Sequence, residues 1–217
     1  MSNISLASHL VNLPVACFIE NVVSKSPTPS GGSVATLSSA LGAGLGAMVC
    51  RLTIGKKKYK DVEDEMRAAE EKLAPLIERM RNAVDEDTFA FNEVMAAFDL
   101  PQDTDEQKSA RDAAVQKATL AAAAVPLSVM QAALAALQAM EPVAAKGNAN
   151  SISDVGVGAL SLACAFHGAR MNVEINLKDL PESEEKSRML RERDAMVPVF
   201  DELANKIQNI VQERMRG

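Results

Sequence analysis

The chain has 217 residues, 3% aromatic side chains and a formal net charge of −6 at pH 7. This length suits one domain over residues 1–217 with a substantial buried core. The acidic balance, without a long basic stripe, argues against a nucleic-acid partner and is ordinary for a cytoplasmic protein.

The sequence contains no clear export or membrane signal. The residues before Pro27 lack a basic start and a continuous apolar run, so no signal peptide is expected. Polar or charged residues interrupt each Ala/Gly-rich run, so no transmembrane helix is expected. The three cysteines are scattered among apolar neighbours, which predicts buried, reduced thiols at Cys17, Cys50 and Cys164. The two histidines stand too far apart in the sequence to predict a zinc site.

The composition favours helices, because Ala, Leu, Met, Glu and Lys are abundant and no useful strand-like alternation occurs. A first helix is expected over about residues 14–24, with Pro14 at its first position. The turn PTPSGG follows, and a second helix is expected over about residues 31–54, ended by Gly55. The larger apolar residues of this second helix recur at steps of three and four: Val34, Leu37, Leu41, Leu45, Met48 and Leu52. Each internal glycine costs up to roughly 1 kcal/mol relative to alanine, so we expect another backbone or a ligand to approach there.

Four further helices complete the predicted fold. The third covers about residues 61–98, and Pro75 is expected to kink or divide it. Thr104 and Gln107 predict a capping box before a fourth helix that runs towards residue 140 and breaks near Pro126. A fifth is expected over about residues 152–176 and a last one over about 184–215. The fold class is therefore all-α, a single-domain bundle of about five or six long helices.

Asp87 occupies a position that otherwise belongs to the apolar stripe of the third helix. The stripe steps from Met80 to Val84, then to Asp87, then to Phe91. Burying an unpaired charge costs several kcal/mol, so this carboxylate needs a partner or a function. The alternative is a helix whose apolar face drifts and leaves Asp87 at its edge.

A second carboxylate, Asp154, begins the fifth helix. With Ser151 it fits a capping box, which would explain it without any function. Its neighbours indicate a role in binding as well, because several hydrogen-bonding side chains crowd just before an apolar helix. They are Asn148, Asn150, Ser151 and Ser153. The free amides of a helix N-terminus can also hold a carbonyl or carboxylate group.

Three lysines, Lys56 to Lys58, follow the second helix and precede Tyr59, the chain's one tyrosine. Such a run usually complements the helix dipole in water, but one lysine can face a pocket while the others stay solvated. Tyr59 can hydrogen-bond to a ligand or stack on a flat ring. The PTPSGG turn lacks the spacing of a Walker A motif, so the sequence does not predict a site for a nucleotide phosphate.

Four segments, taken in order, resemble the cyclodeaminase/cyclohydrolase family of folate enzymes. They are PTPSGGSVATLSSALGAGLGAMVCRLTIGKKKY, DEDTFAFNEVMAAFDLPQDTDEQKSAR, KGNANSISDVGVGAL and ARMNVEINLKDL. LTIGKKKY and GNxNSxSDxG are the specific signatures. One departure is Ser30, which stands where the family's PTPGGGS turn has a glycine.

The resemblance implies an all-helical homodimer that binds a tetrahydrofolate one-carbon adduct and needs no metal, no further cofactor and no nucleic-acid or membrane partner. Catalytic roles would fall to Lys56, Asp87 and Asp154. One carboxylate would transfer a proton and stabilise an amidinium, and the other would hold the pterin edge; which does which stays open. Lys56 would move a proton or orient water. Substrate binding would fall to Pro29, Gly31, Gly32, Ser33, Tyr59, Asn148, Asn150 and Ser153.

The activity implied by the resemblance is that of a methenyltetrahydrofolate cyclohydrolase. No formiminotransferase partner domain is expected, and the AFDLPQDTDEQKSAR segment resembles stand-alone cyclohydrolases. Two alternatives stay open. One is a formimidoyltetrahydrofolate cyclodeaminase that releases ammonia, and the other is a non-catalytic folate-binding or scaffold bundle.

Overall fold

The computed structural model describes residues 9–216. The expectation of no signal peptide falls partly on residues 1–8, which lie outside the described residues. Between residues 9 and 216 the chain forms six α-helices and three short 3-10 helices and no strand, which confirms the all-α prediction. The α-helices are α1 (Val15–Val23), α2 (Gly31–Thr53), α3 (Glu63–Phe98), α4 (Asp105–Lys146), α5 (Ile152–Leu177) and α6 (Glu184–Arg216). The 3-10 helices cover Leu10–Asn12, Lys57–Val62 and Ala149–Ser151.

Five long helices surround the core. Helix α2 packs between α3 and α5, α4 packs against the same two helices, and α6 covers α4 and α5. The largest side chains that are fully buried there include Met66, Leu73, Met130, Leu137 and Phe166. Each helix thus buries apolar side chains against neighbouring helices, and this packing supplies most of the stability of the helices.

Several helix ends follow the sequence prediction, but the interruption predicted near Pro126 does not occur. Thr104 and Gln107 form the expected capping box, and Gly55 follows α2 with a φ of 76°. The prediction that α4 breaks near Pro126 was wrong, because α4 runs unbroken through Pro126 and α3 through Pro75. Pro126 is buried. Its packing against neighbouring residues offsets the loss of the backbone hydrogen bond that a proline cannot donate.

Helix α2 turns its small residues towards the protein and its large ones away from it. A Cβ added at Gly42 would lie 2.6 Å from the carbonyl oxygen of Gly158, so the backbones of α2 and α5 touch there. This confirms the expected close approach of a backbone at a glycine of α2. A Cβ added at Gly168 of α5 would lie 2.9 Å from the Cβ of Ala35 of α2. Together with the contact of Gly42 and Gly158, this shows that the two helices run antiparallel.

The outward sides of α2 and α5 carry exposed apolar side chains. Leu41 is 60% exposed, Leu160 58% and Met171 68%. We call this surface the α2–α5 face and define it by Val34, Leu41, Leu52, Val157, Leu160, Met171 and Ile175.

The three cysteines differ in burial. The prediction of three buried thiols was wrong, since Cys50 alone is buried, Cys17 is half-buried and Cys164 is exposed. The reason is that Cys164 lies on the outward side of α5, in register with Leu160. Burial, aided by the charge of Glu70, raises the pKa of the Cys50 thiol to about 11.

Three helical segments are long and apolar enough to cross a membrane by length and composition alone: Gly31–Thr53, Asp105–Lys146 and Ala149–Leu177. Between 50% and 56% of the most apolar part of each is buried inside the protein. The expectation that none spans a membrane stays a prediction.

Candidate functional site

Asp87 is held at the start of α2 by two serines. Ser30 caps the helix, because its Oγ accepts a hydrogen bond from the Gly32 amide at 3.2 Å. The same hydroxyl donates to Oδ2 of Asp87 at 3.1 Å, and the hydroxyl of Ser33 donates to that oxygen at 3.0 Å. The side chain of Asp87 is half-buried, and no hydrogen bond from residues 9–216 reaches its Oδ1. One carboxylate oxygen is thus fixed and the other is left to bind a ligand.

Gly32 makes room for this carboxylate. A Cβ added at Gly32 would lie 2.1 Å from Oδ1 of Asp87, whereas one added at Gly31 would meet no atom within 4 Å. The first turn of a helix carries unpaired amides and a partial positive charge. A carboxylate in this position is therefore electrostatically favoured. Pro29, in cis linkage to Thr28, is buried in the turn before it.

A second polar cluster lies at the other end of α2. Thr53 Oγ1 accepts a hydrogen bond from the amide of Asn148 at 2.9 Å, and Nδ2 of Asn148 donates to the carbonyl of Leu52 at 3.2 Å. Tyr59 donates from its hydroxyl to Oδ1 of Asn148 at 3.4 Å and accepts from the amide of Ala149 at 2.9 Å. Since Asn148 is only 4% exposed, Tyr59 and Asn148 serve here to fix the α4–α5 connection against α2.

The capping box expected at the start of α5 does not form. Ser151 precedes the helix but makes no side-chain capping bond. A 3-10 turn leads into α5 instead, and Oδ1 of Asn148 accepts a hydrogen bond from the amide of Asn150 at 3.2 Å. Asp154 is half-buried in the first turn of α5 and has no hydrogen-bonding or ionic partner among residues 9–216, while Ser153 and Asn150 are exposed. The carboxylate of Asp154 is therefore available for a ligand.

Lys56 is exposed just beyond the end of α2. The turn around it is held by Glu63, whose Oε2 accepts a hydrogen bond from the amide of Gly55 at 3.2 Å. Hydrogen bonds from Arg67 first, and then from Gly55, lower the pKa of Glu63. Nζ of Lys58 lies 5.5 Å from the ring centre of Tyr59. Lys56 is exposed, so its ammonium can meet solvent or a ligand.

The two polar clusters lie at opposite ends of one helix. Asp87 is bonded to Ser33, and Asn148 is bonded to Thr53, which is 20 residues further along α2. At 1.5 Å per residue this is a separation of about 30 Å. A single chain thus brings Lys56 and Asp154 to one end and Asp87, with Gly32 and Ser33, to the other.

Three residues have structural roles that the sequence did not predict. Ser30 departs from the family turn, yet it both caps α2 and binds Asp87. Thr53 was not singled out, although it anchors Asn148. Asp85 is more deeply buried than Asp87 and accepts a hydrogen bond from the amide of Leu10. Only the fold reveals these partners, because each is distant in sequence.

Comparisons with known proteins identify relatives over nearly the whole chain. Residues 14–195 match the formiminotransferase-cyclodeaminase family. Over 204 residues the chain is 37% identical to the methenyltetrahydrofolate cyclohydrolase of Methylorubrum extorquens, covering 94% of this chain and 98% of that protein. It is 34% identical over 180 residues to the formimidoyltransferase-cyclodeaminase of Sus scrofa, of which it spans about a third (33%). The crystal structure of a formiminotetrahydrofolate cyclodeaminase from Thermotoga maritima matches with a TM-score of 0.84 at 26% identity, covering 94% of this chain and 98% of that one.

Proposed function

The chain belongs to the formiminotransferase-cyclodeaminase family, and on this premise we propose that it is a methenyltetrahydrofolate cyclohydrolase. The observation that carries the proposal is the match to the Methylorubrum extorquens cyclohydrolase, which covers 98% of that relative at 37% identity. The substrate would be 5,10-methenyltetrahydrofolate and the product 10-formyltetrahydrofolate, in a reversible reaction of one-carbon metabolism.

The proposed reaction adds water to the methenyl carbon between N5 and N10. The water oxygen forms a bond to this carbon, and a base takes one water proton. The hydroxyl formed on this carbon then loses its proton and becomes the formyl C=O, while the carbon–N5 bond breaks and N5 keeps the electron pair and receives a proton. The formyl group stays on N10, and one proton is released overall. The chemistry needs a base, an acid and a group that stabilises the positive amidinium, which two carboxylates and a lysine supply.

We assign proton transfer and amidinium stabilisation to Asp87. Its Oδ2 is held by Ser30 and Ser33 at 3.1 and 3.0 Å, which orients the free Oδ1. A preorganised carboxylate of this kind stabilises a cationic centre without having to reorient during the reaction.

Asp154 and Lys56 take the remaining roles in the proposal. Asp154 would accept hydrogen bonds from the amino-pyrimidinone edge of the pterin, because its carboxylate has no partner among residues 9–216. Lys56 would orient water or move a proton, and the neighbouring lysines would bind the glutamate carboxylates of folate. The proposal also includes a homodimer in which a second copy brings Lys56 and Asp154 to Asp87, because the two ends of α2 lie about 30 Å apart in one chain. It includes a cytoplasmic location and no cofactor beyond tetrahydrofolate.

A second candidate is a formimidoyltetrahydrofolate cyclodeaminase. It is favoured by the TM-score of 0.84 to the Thermotoga maritima cyclodeaminase. In that reaction N10 attacks the formimino carbon carried by N5, and ammonia leaves to give the methenyl compound.

A paired assay on the purified protein separates these candidates. Loss of the near-ultraviolet absorbance of 5,10-methenyltetrahydrofolate reports hydrolysis, and ammonia release from 5-formiminotetrahydrofolate reports deamination. Hydrolysis alone is the expected result, and deamination alone would overturn the proposal in favour of the second candidate. Folate binding without either reaction would favour a non-catalytic module.

A further inference from the structure

The C-terminal end of α6 contacts the polar cluster around Asn148, although none of its residues belongs to the site described above. Nη1 of Arg214 donates a hydrogen bond to the carbonyl of Ala144 at 2.5 Å, and Nη2 donates to the carbonyl of Gly147 at 2.7 Å. The guanidinium of this half-buried side chain is thus fixed by two backbone oxygens of another segment. The family match covers residues 14–195, so it gives no role to Arg214.

Arg214 binds carbonyls that the end of α4 leaves without their helical partners. In a continuing α-helix the carbonyl of Ala144 would accept a hydrogen bond from the amide of Asn148. That amide donates to Thr53 Oγ1 instead. Because Ala144 and Gly147 are buried, unpaired carbonyls there would cost free energy. A guanidinium is a suitable donor, since it places a cation at the negative end of the α4 dipole.

One peptide group of the α4–α5 connection is therefore held from two sides. Its carbonyl belongs to Gly147 and accepts a hydrogen bond from Arg214 of α6. Its N–H belongs to Asn148 and donates to Thr53 of α2 at 2.9 Å. Since a peptide group is planar, hydrogen bonds at both of its ends fix the orientation of the plane. This orientation determines the direction in which the chain continues into α5.

The same helix holds α5 just beyond Asp154. Nε2 of Gln208 donates to the carbonyl of Gly156 at 2.9 Å. A Cβ added at Gly156 would lie only 3.0 Å from Cγ1 of Val211, so α6 packs closely on α5 at this glycine. Asp154 thus lies between two points, Gly147 and Gly156, at which α6 binds the chain. Hydrogen bonds of this kind hold a binding side chain in its productive place.

We propose that Arg214 is a positioning residue of the folate site, which fixes the Gly147–Asn148 peptide and thereby places the carboxylate of Asp154 against the pterin edge. The role of Asp154 rests on the function proposed above, whereas the hold of Arg214 on the α4–α5 connection rests on its hydrogen bonds. Asp154 is assigned to binding and not to proton transfer. Loss of Arg214 therefore weakens binding of the ground state and the transition state alike, which raises KM and leaves kcat nearly unchanged.

Steady-state kinetics with 5,10-methenyltetrahydrofolate test this division. Arg214→Met removes both hydrogen bonds and keeps an unbranched apolar stem. We expect KM to rise by about tenfold or more, while kcat stays within about threefold of the wild-type value. Lys206→Met is the matched control, because Lys206 also joins α6 to α4, through Glu141 at 2.6 Å, but does not bind the connection. Its KM should equal that of the wild type.

Arg214→Lys separates positioning from simple capping of α4. Lysine keeps the charge beside the helix end but lacks the planar fork that binds two carbonyls at once. It should recover most of the stability lost in Arg214→Met, and its KM should stay raised. A wild-type KM in Arg214→Lys would show that the charge alone is sufficient and would overturn the positioning role. Gln208→Met, which removes the bond to Gly156, should also raise KM and replaces Arg214→Met if that variant fails to fold.

Tyrosine fluorescence tests the hold on the α4–α5 connection without a substrate. The chain has one tyrosine and no tryptophan, so the emission comes from Tyr59 alone. The hydroxyl of Tyr59 bonds to Asn148 and to the amide of Ala149, beside the peptide that Arg214 holds. Quenching by acrylamide should increase by about twofold in Arg214→Met, because local opening exposes the ring. It should be unchanged in Lys206→Met.

Equal quenching of Tyr59 in wild type and Arg214→Met would overturn the inference. So would an unchanged KM in Arg214→Met, or a fall in kcat at constant KM, because Arg214 would then not act through binding by Asp154. If the wild type transforms neither folate substrate, the proposed function fails. The quenching of Tyr59 then still decides whether Arg214 holds the connection.

Discussion

Ser33 donates a hydrogen bond to Asp87 over 3.0 Å, joining the first turn of α2 to the C-terminal half of α3. The bond explains how a half-buried carboxylate is tolerated on an otherwise apolar stripe. The charge is shared with two hydroxyls and lies close to the amides of a helix N-terminus. The same arrangement leaves one oxygen open to a substrate.

Asp87→Asn is expected to lower kcat by between about 100- and 10,000-fold, the range of general acid–base contributions. The amide keeps the size of the side chain and can still accept the serine hydrogen bonds, so the fold should survive. Circular dichroism and steady-state kinetics check both points. Glu86→Gln, the exposed neighbour on α3, is the control and should retain activity. A fully active Asp87→Asn enzyme would remove Asp87 from the mechanism.

Gly32→Ala is expected to displace the Asp87 carboxylate, because the new Cβ would lie 2.1 Å from Oδ1. We expect kcat/KM to fall at least tenfold with little change in helix content. Gly31→Ala leaves the carboxylate in place, since its Cβ would meet no protein atom within 4 Å. Any loss in Gly31→Ala would then report contact with the substrate. Equal kcat/KM values for Gly32→Ala and wild type would show that the Asp87 carboxylate can shift without any loss of catalysis.

Thr53→Val should destabilise the protein by about 1–3 kcal/mol, the cost of leaving a buried donor unpaired. The donor is the amide of Asn148, which now bonds to Thr53 Oγ1 at 2.9 Å. Denaturant unfolding at one fixed protein concentration measures the effect. Thr119→Val is the control, because the hydroxyl of Thr119 donates only to the carbonyl of Val115 in its own helix. Similar losses for both variants would argue against the anchoring role of Thr53.

The buried thiol of Cys50 should make stability fall at high pH. Its pKa rises from 9.0 to about 11 on folding. Between these values the unfolded chain loses the proton while the folded chain keeps it, so the free energy of unfolding decreases as pH rises. Unfolding experiments across this range should show a shallower decrease for Cys50→Ala than for wild type. Identical slopes in the two proteins would contradict the prediction.

Much of the fold could be predicted because its signals are local. The capping box of Thr104 and Gln107 and the positive φ of Gly55 depend on a few adjacent residues. The break at Pro126 was predicted wrongly because helix propensity does not account for the burial of that residue. The capping box at Ser151 and Asp154 failed for a similar reason, since Asn148 diverts the chain through a 3-10 turn.

The candidate site was only partly predictable. An apolar stripe with one carboxylate pointed to Asp87, and crowded polar residues pointed to Asp154. Sequence spacing could not show that the two lie at opposite ends of α2, because that depends on which helices pack together. The hydroxyls of Ser30 and Thr53 gain their roles from partners 57 and 95 residues away.

The central claim is that this chain hydrolyses the methenyl bridge of folate, and the most direct measurement is kcat/KM for 5,10-methenyltetrahydrofolate beside kcat/KM for 5-formiminotetrahydrofolate on one preparation. The account predicts efficient hydrolysis of the first, at least tenfold above the second, and loss of that hydrolysis in Asp87→Asn. Ammonia release from the second substrate without hydrolysis of the first would contradict it.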